Sequence, residues 1–532
     1  MQSVMRHQFA QVPRAEIPRS RFDRSHGLKC TFNAAYLVPI YCDEALPGDT
    51  FTLRCTTFAR LSTPLHPVMD NMYADVLFFA VPVRLVWSHF VNFFGEQNNP
   101  GDSTSFLVPT ATSPSGSGGY QVSSLQDYMG IPPQVTNLVH SNLPLRAYNL
   151  IFNQWFRDQN LQPSVVVDLG DGPDSPSNYQ LLRRGKRHDY FTSALPWPQK
   201  GPAVSIPLGA QATVRTSATQ LLTGTQNNMT MRKTDGSTPV GGVLGNDASG
   251  NTVRTTAAFA ASADFMYPSN LYADLSTATA ATINSLRQAF QVQKIYERDA
   301  RGGTRYTELI QAHFGVTSPD ARLQRAEYLG GGSAPINVNP IAQTQGTGAT
   351  GTTTPQGNLA AMGTFHHGGY GFSKSFTEHS IIIGLINVRA DLTYQQGLNK
   401  MWSRSTRFDF YWPALASIGE QAILNQEIYA TGTATDTQVF GYQERYAEYR
   451  YLPSRIAGIF RSAAPAPLDS WHLSQTFGAL PALNATFITD NPPIDRIVAV
   501  PSQPHFLLDC YFNLMCARPM PLYGVPGNID RF

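Results

Sequence analysis

The chain has 532 residues, of which 42% are hydrophobic and only 14% charged, against about 25% charged in ordinary soluble chains. Its 39 Lys and Arg against 37 Asp and Glu leave a net charge of +2, which excludes bulk attraction to a polyanion, so any nucleic-acid contact must be local. The length implies either several domains or one core with large insertions. So little charge implies a surface that lies largely against other subunits; the competing reading is a monomer coated with Ser, Thr, Asn and Gln. No apolar run approaches the roughly 20 residues of a membrane span, so no membrane insertion is expected. The opening MQSVMRHQFAQVPRAEIPRSR lacks the apolar stretch of a secretory signal. Cys30, Cys42, Cys55, Cys510 and Cys516 include no C-x-x-C pair, so reduced core residues are expected rather than disulfides or zinc ligands.

In chain order, residues 1–29 read as an extended basic arm. It holds Arg6, Arg14, Arg19, Arg21, Arg24 and Lys29 against Glu16 and Asp23, with Pro13 and Pro18 interrupting any helix. Such an arm can lie on phosphates without reading sequence, or it can pair with a neighbouring subunit's carboxylates. In TFTLRCTTFA, Phe51, Leu53, Cys55 and Thr57 share one face and Thr52, Arg54, Thr56 and Phe58 the other, a half-buried strand. YADVLFFAVPV reads as a buried strand whose Pro82 marks an edge or bulge. Trp87, Phe90, Val91 and Phe94 predict a helix before Gly95, and Leu145, Tyr148, Phe152, Trp155 and Phe156 predict a second with an aromatic core stripe. Residues 203–265 are polar, and 210–256 in particular form an excursion that cannot line a core. Helices are expected from Ile283 to the Gly302-Gly303 pair and from Tyr306 to Gly315. Residues 330–363 read as a Gly/Thr-rich loop. In HFLLDCYFNLMC a two-residue alternation returns. Strands at both ends with helices and insertions between them predict a mainly β protein, a β-sandwich decorated by long inter-strand excursions.

No motif argues for catalysis. Gly346–Gly351 matches G-x-G-x-x-G without the flanking strand and helix that a dinucleotide site needs. His366, His367 and His379 lack metal-ligand spacing and are read as surface or interface residues. Asn228 and Asn484 begin glycosylation sequons read as accidental. The densest basic cluster is Arg183, Arg184, Lys186 and Arg187, with Tyr190 and Phe191 beside it. It either holds a single strand, bases stacked on the rings and phosphates on the cations, or is a basic loop at a subunit contact. No catalytic residue, cofactor or metal site is assigned.

HDYFTSALPWPQKGP at 188–202, LRQAFQVQKIYERDARGGTRYTELIQAHFGVTSPDARLQRAEYLGG at 286–331 and PLYGVPGNIDRF at 521–532 closely resemble the major capsid protein of gokushoviruses, single-stranded DNA phages of the microvirus family. The likeness runs from about Arg6 to Phe532. It implies an antiparallel viral jelly roll of eight strands, here residues 30–532 with insertions, whose copies close into a T=1 icosahedral shell around circular single-stranded DNA. It implies threefold protrusions from an insertion, here residues 210–256, with a contribution from 330–363 and a role in meeting a host surface receptor. It also implies a virion component assembled in the bacterial cytoplasm. The partners implied are copies of itself, a small basic DNA-binding protein, an internal scaffolding protein and a pilot protein. The alternative class is a carbohydrate-binding or carbohydrate-active β-sandwich.

Overall fold

The computed structural model describes residues 17–202, 204, 213–216, 231–233, 244–246, 253–255, 266–268, 271–274, 283–317, 319–320, 322, 324–346 and 356–523. Two antiparallel sheets face each other. The first is built from β1 (Ser20–Asp23), β2 (His26–Phe32), β4 (Thr50–Leu61), β7 (Asn337–Ala342), β8 (Leu359–Ser375) and β10 (Phe506–Arg518). Its order is β1-β10-β4-β8-β7, with β2 continuing along β10 beyond β1. The second runs β6 (Glu327–Pro335), β5 (Met72–Pro82), β9 (Ser380–Ala390), β3 (Val38–Ala45). These two sheets form the jelly-roll sandwich, with ten strands among the described residues rather than eight.

The alternation read in β4 is what the fold uses. Phe51, Leu53, Cys55, Thr57, Ala59 and Leu61 point inward and are buried, while Thr52, Arg54, Thr56, Phe58 and Arg60 are exposed. Opposite them in β10, Phe506, Leu508, Cys510, Phe512, Leu514 and Cys516 are buried. They meet Val76, Phe78, Ile382 and Ile386 from the second sheet in one core. Cys55, Cys510 and Cys516 are thus core residues, whereas Cys30 is half-buried and Cys42 exposed; all five are free thiols.

The second sheet is covered on both sides, which is why β9 (SIIIGLINVRA) reads as a continuous apolar run. Its outer face packs on helix α1 (Leu143–Ile151) and the π turn Phe152–Phe156. Leu145, Tyr148 and Phe152 are buried there, and Phe79 lies 5.5 Å from Trp155 and 5.8 Å from Phe156. The predicted aromatic stripe is therefore the core of an outer layer. The helix expected over 87–94 is reduced to one turn, Phe90–Phe93, because Trp87 is drawn inward with its indole donating to Asp171 at 2.7 Å. Pro82 sits at the end of an interior strand. β6 begins pairing only opposite Ala80, so at Pro82 the strand is flanked by β9 alone, which accommodates the missing N–H.

Two expectations are corrected. From Ser20 the basic arm is already sheet, paired along β10. The described part of residues 330–363 is not a loop: β6, β7 and the start of β8 occupy most of it, and one strand passes from the second sheet to the first at Ile336, whose N–H donates to Met72 O at 2.9 Å. Their glycines serve close packing, since a Cβ at Gly330 would collide with the carbonyl of Gly371 and one at Gly332 with the Tyr370 ring. The sequon at Asn484 is a helix cap, its side chain accepting from Phe487 N at 3.0 Å; Asn228 lies outside the described residues, as does most of the G-x-G-x-x-G run.

The chain divides into two compact units, of which one is Gln199–Arg298. Within that unit three antiparallel pairs are nested in sequence: Thr213–Thr216 with Leu271–Asp274, Met231–Lys233 with Met266–Pro268, and Leu244–Asn246 with Val253–Thr255. The excursion read at 210–256 falls inside it, largely outside the described residues. Helices α2 (Ile283–Gly302) and α3 (Tyr306–Phe314) match the expected periodicity. Gly315 ends α3 at φ 68°, with open space where a Cβ would stand. Gly315→Ala is therefore expected to cost about 1 kcal/mol through backbone strain alone, read as a lowered midpoint in thermal unfolding.

Candidate nucleic-acid interface

The outer face of the first sheet has no layer over it among the described residues. Antiparallel register places its side chains in rows. Lys29 stands opposite Asp509, which stands opposite Phe58, which stands opposite His366. In the next row Thr31, Leu507, Arg60 and Thr364 follow one another, and further along Asn513, Arg54 and Gly371. Arg21 joins this face at the β1 edge. Four cations, Arg21, Lys29, Arg54 and Arg60, thus share one exposed surface with two acids, Asp23 and Asp509. Among the described residues, none of these four side chains is held in an ion pair. Between them stand exposed apolar and aromatic groups: Phe58 is 49% exposed, Leu507 53% and Tyr511 54%. Basic groups interleaved with rings on an open sheet have the chemistry of a single-strand platform, cations for phosphates and rings for bases.

The other expected contacts fare differently. Arg6 and Arg14 lie outside the described residues. Arg19 is exposed but donates to Gly48 O at 2.6 Å and Thr50 Oγ1 at 3.2 Å. Arg24 is turned inward onto Asp43, at 2.6 and 3.0 Å, a carboxylate that also accepts from Tyr41.

The 183–187 cluster is stitched into the chain's own framework. Arg183 lies over the Tyr36 ring, 4.6 Å from its centroid, and donates to Asn491. Arg184 binds Asp75 at 2.7 Å, Arg187 binds Asp391 at 2.8 Å, and the buried Lys186 donates to Gln475 Oε1 at 2.9 Å beneath the Phe487 ring. Burial, reinforced by the neighbouring Arg389, lowers Arg184 to about 10, and burial lowers Lys186 to about 8. Tyr190 and Phe191 are core residues, 5% and 3% exposed, and cannot stack on bases. The cluster is not an open strand-binding surface.

The histidines act as ring partners. His367 stacks on Tyr370, and His379 packs against Phe90 and Phe94. Among the described residues no three His, Cys, Asp or Glu side chains gather where they could hold a metal, and no helix is long and apolar enough to cross a membrane.

Arg54, Phe58, Arg60 and Tyr511 were not named as contacts from sequence. The signal was present in the alternation of β4 and β10, which assigns them to the face opposite the core. Sequence also gave no warning of the ion pair of Arg146 and Asp174, whose side chains are 0% and 3% exposed, beyond the placement of Asn142, Arg146 and Asn149 at helical spacing on a buried face.

Comparison with known proteins accords with this architecture. A family model described as capsid protein (F protein) matches residues 10–528. The chain is 50% identical to capsid protein VP1 of Bdellovibrio phage phiMH2K over 530 residues, covering 99% of this chain and 98% of that protein. It is 44% identical to capsid protein VP1 of Chlamydia phage 1 over 99% of this chain and 98% of that one. Against capsid protein VP1 of Spiroplasma virus 4 the identity is 39%, over 98% and 97%. A sandwich of two antiparallel sheets with long insertions, matched over nearly its whole length to structural proteins of phage shells rather than to enzymes, places the chain in the phage F capsid protein family, among its gokushovirus members.

Proposed function

We propose that this capsid protein closes, as many identical copies, into a T=1 icosahedral shell around circular single-stranded DNA, with the outer face of the first sheet turned to the genome. The observation that carries the orientation is that face itself: Arg21, Lys29, Arg54 and Arg60 without ion-pair partners among the described residues, spaced by Phe58 and Tyr511. The second sheet, already covered by its own helical layer, offers no such surface. Subunit contacts are supported by an apolar belt outside the sandwich, in which Trp402 is 69% exposed, with Phe408, Phe410, Tyr411, Trp412 and Tyr449 about half exposed; patches of that kind mark interaction surfaces.

The unit Gln199–Arg298 is the candidate for the threefold protrusion and for contact with a host surface receptor. Its compactness apart from the sandwich supports that assignment. A small basic DNA-binding protein, an internal scaffolding protein and a pilot protein complete the set of partners, and assembly takes place in the host cytoplasm.

Electron microscopy of purified protein is expected to show closed particles; a 58.4 kDa species that never assembles would remove the reading. For the DNA face the sharper measurement is salt dependence. The combined variant R21Q, K29Q, R54Q, R60Q should bind oligodeoxythymidine with a log–log salt slope about 3 shallower than the parent, since each phosphate contact contributes about 0.7 on single strands. An unchanged slope would reassign the face.

A further inference from the structure

A pocket of about 470 Å³ opens beside the π turn after α1, on the covered side of the second sheet. Arg157, Arg184, Lys186, Arg301, Arg305 and Arg389 line it, together with the carboxylates Asp158 and Glu308. Their compensation is incomplete. Arg184 and Arg389 share a single carboxylate, that of Asp75, at 2.7 and 2.8 Å. Glu308 accepts from Thr304 N at 3.1 Å and from Arg305 N at 3.0 Å and also pairs with the Arg305 guanidinium at 3.1 Å, so Arg305 has a carboxylate of its own. Arg301 is engaged by Glu420. Among the described residues Arg157 donates to the carbonyl of Gln162, at 2.8 Å, and Lys186 to the amide oxygen of Gln475, at 2.9 Å. The Nε atoms of Arg157, Arg305 and Arg389 are buried with no acceptor. Six cations against two lining carboxylates make a concave, electropositive space that suits an anion.

We propose that this pocket binds a phosphate group, held by Arg157, Lys186 and the Arg184–Arg389 pair. Phosphate fits better than a carboxylate because its oxygens diverge tetrahedrally and can reach cations on several walls at once, where a carboxylate presents two acceptors in one plane. Burial and then Arg305 lower the proton affinity of Arg157, and burial lowers that of Lys186 against the pull of Asp490 and Asp189. The pocket lies on the opposite side of the sandwich from the sheet face assigned to DNA, so it does not depend on that reading. Its phosphate is free phosphate or that of a small phosphorylated ligand rather than the packaged strand.

The test uses the full-length protein at constant ionic strength. Amine-reactive acylation of Lys186, followed by mass spectrometry, is measured in chloride, in inorganic phosphate, in acetate and with a dT oligonucleotide lacking terminal phosphates. Inorganic phosphate should slow modification of Lys186 several-fold while acetate and the oligonucleotide do not. R157Q should weaken that protection about tenfold, the equivalent of one charge-assisted contact. K186M, which keeps the stem beneath Phe487, should lose the phosphate-dependent rise in unfolding temperature. R54Q/R60Q on the sheet face should leave both effects intact, which separates this site from the DNA face. Equal protection by acetate, protection by the oligonucleotide alone, or equal thermal stabilisation of the parent, R157Q and K186M would each overturn the proposal.

Discussion

Replacing Asp174 with alanine is expected to destabilise the subunit by about 3–5 kcal/mol, the cost of leaving a buried charge without its partner. Arg146 projects from α1 into the outer layer with no solvent exposure. It meets Asp174 through two parallel bonds, Nε to Oδ2 at 2.7 Å and Nη2 to Oδ1 at 2.6 Å. Asn142 and Tyr179 donate to the same carboxylate, and the remaining guanidinium donor reaches Val86 O at 2.9 Å. Burial alone would raise the Asp174 carboxyl, but the bonds from Arg146 and Asn142 outweigh it and hold the group below the usual carboxylate range. The folded state therefore binds the proton less readily than the unfolded chain, and the stability this confers is complete above the unfolded value of about 3.9. It is lost as pH falls through the lower, folded value. Denaturant titrations from pH 7 down to pH 2 should show the parent losing stability at the acid end more steeply than D174N, whose amide cannot titrate. Parallel curves would mean that the pair contributes no linkage.

The second large effect separates two adjacent residues of β10. Phe512 is fully buried, 5.3 Å from the Tyr41 ring and 5.2 Å from His26, at the centre of the sandwich. Phe512→Ala should cost about 3–5 kcal/mol, through lost burial and the cavity left behind. Tyr511 points the opposite way and is half exposed, so Tyr511→Ala should change stability by no more than about 0.5 kcal/mol. If the sheet face carries DNA, Tyr511→Ala should still lower oligonucleotide affinity, since stacking on one ring contributes about 1–3 kcal/mol. A stability loss in both variants would mean that the strand's two faces are not as distinct as their burial indicates. Affinity unchanged in Tyr511→Ala would remove the ring from the interface.

These neighbours also show what was legible beforehand. A two-residue period assigns faces with no knowledge of tertiary structure, so the inward set of β4 and β10, and with it Arg54, Phe58 and Tyr511 on the other side, could be read directly. The helical stripe on α1 was legible for the same reason. Composition misled where it stood in for geometry. Glycines at 330–332 read as loop, yet they are small because β6 and β8 nearly touch. Basic residues at 183–187 read as available charge, yet their partners Asp75, Asp391 and Gln475 lie far along the chain and nothing local announces them. The compactness of Gln199–Arg298 was hidden because polar composition is silent about strand pairing.

The position of β10 has a consequence for how the particle is made. It is the last strand of either sheet in sequence, yet it lies inside the first sheet, between β4 and the β1 and β2 edge. Until that segment leaves the ribosome, β4 and β2 each present an unfilled edge, and Phe506, Leu508, Cys510, Phe512, Leu514 and Cys516 are missing from the central core. Every strand pairing of β10 must close a loop of several hundred residues, the slow class of event in folding. The nascent subunit is therefore held open along the strands most apt to pair with another copy. Pairing of β10 closes those edges, so the sandwich is complete only once that segment has been made.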